Sequence, residues 1–194
     1  SYFDATNDDL KYAAWTGSAW DIQTVDSAGY VGRTTSLALD GAGQPHISYH
    51  DATNYDLKYA AWTGSAWAIQ MVDSEGDVGE YTSLALDGAG QPHISYFDAT
   101  NDDLKYAAWT GSAWDIQTVD SAGYVGRTTS LALDGAGQPH ISYHDATNYD
   151  LKYAAWTGSA WAIQMVDSEG DVGEYTSLAL DGAGQPHISY FDAT

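Results

Sequence analysis

Residues 1–94 recur without a single change as residues 95–188. Each half is itself a tandem pair of similar 47-residue units: 1–47 and 48–94, then 95–141 and 142–188. Residues 189–194 repeat residues 1–6 and open a partial fifth unit. A fixed period of this length marks a repeat architecture, in which one supersecondary unit buries its apolar faces only against copies of itself. The identity also bears on origin. Natural duplicates drift, because surface positions accept change at little cost in stability. Perfect identity over 94 positions points to very recent amplification or to design. It bears on chemistry too, since any site built within residues 1–94 exists at least twice.

Turn signals arrive about every ten residues, too often for helices, and no window keeps a helical period. Thr82–Asp87 is an apolar, β-branched run halted by the glycines and proline of residues 88–92. Pro92 opens the next run, His93–Phe97, at the one strand position where proline is tolerated. Asp98–Asp102 has turn composition, and Leu104–Trp109 and Trp114–Val119 follow, joined by Thr110–Ala113. Trp109 and Trp114 flank that short turn, where an aromatic cross-strand pair supports a hairpin. The loop Asp120–Arg127 leads into the next unit, and all five glycines of a unit fall in connections.

Four strands joined by hairpin turns exclude the parallel coils of a β-solenoid. They predict an all-β fold, a β-propeller of four-stranded antiparallel blades. Ser83 and Ala85 suit a crowded axis, so the Thr82–Asp87 run is expected innermost and the Trp-led run outermost. Residues 1–194 then read as a half-ring whose first blade lacks an inner strand and whose last lacks outer ones. The expectation is that one end supplies what the other lacks, two chains closing an eight-bladed homodimer and removing exposed edges. One of the five copies of Ser-Tyr-Phe-Asp-Ala-Thr must then leave the closing position.

Odd and even units differ at eight of 47 positions: Phe3/His50, Asp8/Tyr55, Asp21/Ala68, Thr24/Met71, Ala28/Glu75, Tyr30/Asp77, Arg33/Glu80 and Thr34/Tyr81. Four of these cluster in the loop before the innermost strand. If that loop lies near the axis, Arg33, Glu80, Arg127 and Glu174 form a ring of alternating charge. Like charges about 4–6 Å apart would repel by several kcal/mol in sum. Alternation removes that repulsion and disfavours an odd number of blades.

Acidic residues number 27 against six lysines and arginines, a net charge of −21. Nucleic acid is excluded as a partner, since too few basic groups exist to neutralise phosphates. The absence of cysteine excludes disulfides, thiolate catalysis and Cys-based zinc sites. No apolar run is long enough to span a membrane, and Ser1 is not followed by a signal-like stretch. Asp4, Asn7 and Asp9, with Asp51, Asn54 and Asp56, offer oxygens at calcium-like spacing, but Asx residues are also what such turns need. His46, His93, His140 and His187 could meet a metal on the axis or pack between blades. Alternation along a strand puts His46, Ser48 and His50 on one face, opposite Ile47 and Tyr49. No metal and no cofactor is expected. No nucleophile-elbow sequence is present, so the chain is not expected to be an enzyme. Trp67, Tyr59 and Asp51, with their repeats, supply the stacking and hydrogen-bonding groups of a sugar site.

Residues 35–67, TSLALDGAGQPHISYHDATNYDLKYAAWTGSAW, resemble the blades of bacterial propellers of unassigned function. Their repetition in alternating units is similar to engineered symmetric β-propellers. The resemblance implies an artificial scaffold without catalytic activity whose fragments self-assemble into closed rings, produced recombinantly in a bacterial cytoplasm. The alternative is a multivalent carbohydrate-binding, lectin-like propeller. The signatures of WD40 repeats and of the sialidase Asp-box are missing.

Overall fold

Each run with strand composition forms a strand. The computed structural model describes residues 1–194 and holds 17 strands and no helix, hence no helix long and apolar enough to cross a membrane. The first sheet contains β1 (Tyr2–Asp4), β2 (Asp9–Trp15) and β3 (Trp20–Asp26). The second is an antiparallel meander of β4 (Val31–Leu39), β5 (Pro45–Asp51), β6 (Asp56–Trp62) and β7 (Trp67–Asp73). The third repeats it with β8 (Val78–Leu86), β9 (Pro92–Asp98), β10 (Asp103–Trp109) and β11 (Trp114–Asp120). The fourth does so with β12 (Val125–Leu133), β13 (Pro139–Asp145), β14 (Asp150–Trp156) and β15 (Trp161–Asp167). The fifth holds only β16 (Val172–Leu180) and β17 (Pro186–Asp192). The sheets fan out propeller-like from the row β4, β8, β12, β16, whose members pack on one another.

Small residues occupy that row for a definite reason. The hydroxyls of Ser36, Ser83 and Ser130 each accept the backbone N–H of the next innermost strand, from Leu84, Leu131 and Leu178, at 3.0 Å. At the opposite edge, Trp62 and Trp67 meet across their turn with centroids 5.4 Å apart, as do Trp109–Trp114 and Trp156–Trp161.

The innermost strand is longer than its composition suggests. It begins at Val31, not Thr35, so Gly32, Gly79, Gly126 and Gly173 lie inside strands and not in connections. Gly32 adopts φ +97° and passes so close to β2 that a Cβ would sit 2.8 Å from the Leu10 Cα. The register against β5 then shifts on both sides of Arg33, a bulge that bends the strand. Arg33, Glu80, Arg127 and Glu174 are therefore strand residues at these bulges, not loop residues.

Three cores fill the gaps between successive sheets. Between the first and second lie Leu10, Val25, Val31, Ile47, Tyr49 and Ala60, and the next two gaps repeat the set. As alternation predicts, Ile47 and Tyr49 face the preceding sheet, while Ser48 accepts from Thr82 of the following one at 2.8 Å. Each gap also holds a polar node. The buried Tyr49 hydroxyl donates to Asp26 at 2.8 Å, and Lys58 lies 3.5 Å from Asp26 and 2.7 Å from Asp51.

The alternating residues meet across the gaps and make two kinds of interface. Phe3 packs edge-on against Tyr30, and Phe97 against Tyr124, at 4.8 and 5.1 Å between centroids. In the intervening gap His50 Nε2 stands 3.5 Å from Asp77. Arg127 donates to the Tyr81 hydroxyl at 2.7 Å and lies over the rings of Tyr81 and Tyr124. The array is open at the outer face of the last sheet and at β4, beside which the first sheet has no innermost strand. Phe191 is 51% exposed where its equivalent Phe97 is 1%, and Leu37 is 39% exposed where Leu84 is 7%.

Candidate functional site

The turn between the first two strands of a four-stranded sheet folds around one carboxylate. Asp40 Oδ1 accepts the backbone N–H groups of Ala42 and Gln44, both at 2.8 Å, while Gly43 takes φ +77°. These bonds, that of Gln44 first, hold the Asp40 carboxyl below the usual range. The turn thereby presents Gln44 and Pro45 at one rim of the gap between the first and second sheets. Tyr12 and Gln23 come from the first sheet, and the Trp62–Trp67 hairpin end closes the far side. The result is a cleft of about 220 Å³.

The cleft recurs. Tyr59, Gln70, Gln91, Pro92 and Trp109 line one of about 190 Å³ between the second and third sheets. Tyr106, Gln117, Gln138, Pro139 and Trp156 line one of about 210 Å³ between the third and fourth. These volumes lie below the roughly 300–1,000 Å³ usual for drug-sized ligands, so each cleft suits a small molecule.

The walls are held by aromatic contacts and a short polar chain. Tyr12, Tyr59 and Tyr106 lie edge-on to Trp67, Trp114 and Trp161 of the following sheet, at 5.4, 5.5 and 5.3 Å. The Tyr59 hydroxyl is hydrogen-bonded to His46 Nδ1, whose Nε2 stands 3.7 Å from Asp40; Tyr106, His93 and Asp87 repeat the chain. Burial pushes the Tyr59 phenol up, helped by the Asp40 charge, so it stays protonated. Burial lowers His46 against the pull of Asp40, so the imidazole is neutral near pH 7. Aromatic faces, primary amides and a neutral phenol suit an uncharged ligand with apolar faces and hydroxyl edges.

Of the residues singled out for sugar binding, Tyr59 lines the second cleft, and Trp67 lines the first, where it packs against Tyr12. Asp51 does not take part. It lies at the opposite end of β5, fully buried, accepting from Thr53, Asn54 and Lys58. Asp4 accepts from Thr6 and Asn7 in the same way, and no group of three or more His, Asp or Glu side chains is placed to hold a metal ion. Arg33, Glu80, Arg127 and Glu174 sit on the innermost strands, away from the clefts. The glutamines and Trp62, Trp109 and Trp156 were not singled out. The Gly-Gln-Pro triplet recurring in every unit was the available signal.

No protein-family model matches the chain, and no curated protein matches it in sequence. Solved structures do resemble it. A fucose lectin from Kordia zhangzhouensis, in complex with methyl-fucoside, shares 24% identity at a TM-score of 0.52, over 70% of this chain and 99% of that one. A mutant of AofleA from Arthrobotrys oligospora shares 14% at 0.66, over 95% of this chain and 59% of that one. A mutant of the Aleuria aurantia lectin AAL, in complex with Fucα1-6GlcNAc, shares 13% at 0.61, over 97% and 65%. The chain thus spans about three fifths of the length of the latter two. At these identities the likeness is one of fold: an all-β, propeller-like array of repeated four-stranded sheets.

Proposed function

We propose that this chain is a carbohydrate-binding protein that takes one sugar residue in a cleft between adjacent sheets. The observation that carries the reading is the recurrence of one small cleft, walled by tyrosine, tryptophan, proline and two glutamines, in three successive gaps. A pyranose presents C–H faces to aromatic rings and hydroxyls to amides, which is what these walls offer. Two lectins of similar fold, both solved with fucose-containing ligands, favour this reading over an artificial scaffold and supply the first probe to try. A glycan array tests it. Fucosylated glycans should retain the chain, and Gln91→Ala should weaken retention, since the Gln91 side chain lines the cleft while its backbone N–H and carbonyl hold the turn. Equal signals from both chains, or none from the unaltered chain, would refute it.

A second reading concerns assembly and is favoured by the open terminal faces. The β16–β17 pair of a second copy would supply the innermost strand that the first sheet lacks, with β17 taking the place of β1, whose sequence it shares. Reciprocal exchange between two copies would cover Phe191 and Leu37 and close eight blades.

A further inference from the structure

Resting on the carbohydrate-binding reading, we infer that the second residue of the outermost strand, aspartate at Asp21 and Asp115 but alanine at Ala68, decides which clefts accept a ligand. The three clefts have the same walls but not the same hydrogen bonds. In the first, Gln23 Nε2 donates to Asp21 at 2.8 Å, which turns Gln23 Oε1 toward Trp67, whose indole N–H donates to it at 3.3 Å. The third repeats this, with Gln117 to Asp115 at 2.9 Å and Trp161 to Gln117 at 3.2 Å. One N–H of the glutamine amide, the amide oxygen and the indole N–H are thus each bonded within the protein.

The middle cleft has Ala68 at this position. Without a carboxylate to orient it, Gln70 swings out and is exposed, whereas Gln23 and Gln117 are half-buried. The Trp114 indole N–H is left buried with no partner. A buried donor without an acceptor is rare in folded proteins and destabilising, and an oxygen brought by a ligand would satisfy it. The Trp114 N–H, on the ring packed against the cleft's Tyr59, and the Gln70 amide, which lines the cleft, are thus two donors without a protein partner, and the Ala68 cleft selects a ligand whose oxygens accept. In the Asp115 cleft the unpartnered atom is an acceptor, Gln138 Oε1, beside a fixed carboxylate. The alternation of units thus makes sugar sites alternate as well, one cleft with unbonded donors between two whose glutamine and indole are already bonded to one another.

The positions are exposed on the outermost strand, so substitution there leaves the fold intact. Calorimetric titration of the full chain with methyl fucoside should give one site per chain. Ala68→Asp should weaken that site at least about tenfold, the loss of roughly one hydrogen bond. Asp21→Ala with Asp115→Ala should raise the count to three. Three equal sites in the unaltered chain, or unchanged affinity in Ala68→Asp, would overturn the inference while leaving the carbohydrate reading standing. If the unaltered chain binds no sugar, both fail. The bonding pattern has its own readout without sugar. Asp21→Ala should move the Trp67 indole N–H resonance and leave that of Trp114 in place, and an unmoved Trp67 signal would equally overturn the proposal.

Discussion

At the scale of single residues, the strongest constraints are polar groups buried between sheets. Tyr49 is fully buried and its hydroxyl donates to Asp26, which Lys58 also approaches. Tyr49→Phe leaves a buried carboxylate one donor short and should cost about 1–3 kcal/mol. Tyr55→Phe, at an exposed tyrosine, should leave the urea midpoint unchanged. Titration follows from the same burial. Burial raises the Asp98 carboxyl, but the Asn101 amide and the Lys105 ammonium outweigh it, so its folded pKa lies below the free value. That stabilisation is present above about pH 3.9 and fades as pH falls through the lower folded value. Asp103, raised by burial and by the Asp98 charge, opposes it: its contribution is present in acid and is lost as pH rises. Burial lowers His50 and His144, each against the pull of nearby carboxylates, so their contribution is complete above about pH 6.5 and declines below it. Urea midpoints should therefore rise between about pH 5 and 7. Replacing both histidines by phenylalanine, the residue at the matched position of the alternate unit, should shrink that rise. His46 and His93 carry the same sign, so the rise should not vanish. A rise of undiminished size would refute the assignment.

At the scale of elements, the bulge in the innermost strand is the feature that local composition hides. Gly79, at φ +96°, has the Leu57 Cα only 2.8 Å from where a Cβ would stand; Gly88 has open space and no such φ. Gly79→Ala should destabilise by more than about 1 kcal/mol, and Gly88→Ala should be silent in the same denaturation experiment. Equal effects would contradict the close-approach account. The contrast also explains what could be read in advance. The meander, the innermost and outermost strands, the Trp62–Trp67 pairing and the shared face of His46, Ser48 and His50 depend on period and turn residues, which are local. Gly79 looks like any turn glycine, because the strand that requires it lies 22 residues earlier. The cleft glutamines escaped notice for a related reason. Gln70 and Gln91 are unremarkable until the packing of two sheets brings them to one gap. Asp51 seemed a sugar ligand by residue type, and only the fold shows its oxygens already committed to Asn54 and Lys58.

At the scale of the whole molecule, alternation is a property of interfaces. Phenylalanine on one sheet meets tyrosine on the next, and histidine meets aspartate, so a sheet of one kind calls for a neighbour of the other. The exposed Phe191 calls for a partner of the Tyr30 kind, which a second copy presents. Light scattering should find a species of twice the 20.8 kDa chain mass, and exchanging Glu80 and Glu174 for arginine should reduce it at low salt. A strict monomer would refute the closure. Assembly and binding remain separable, because the clefts at Tyr12, Tyr59 and Tyr106 each lie between two sheets of one chain. The central claim is that such a cleft holds a sugar. Titrating the full chain with methyl fucoside while following indole N–H resonances addresses it most directly. Saturable shifts centred on Trp109 and Trp114, lost in Gln91→Ala, are predicted; an unchanged spectrum at high sugar concentration would contradict the account.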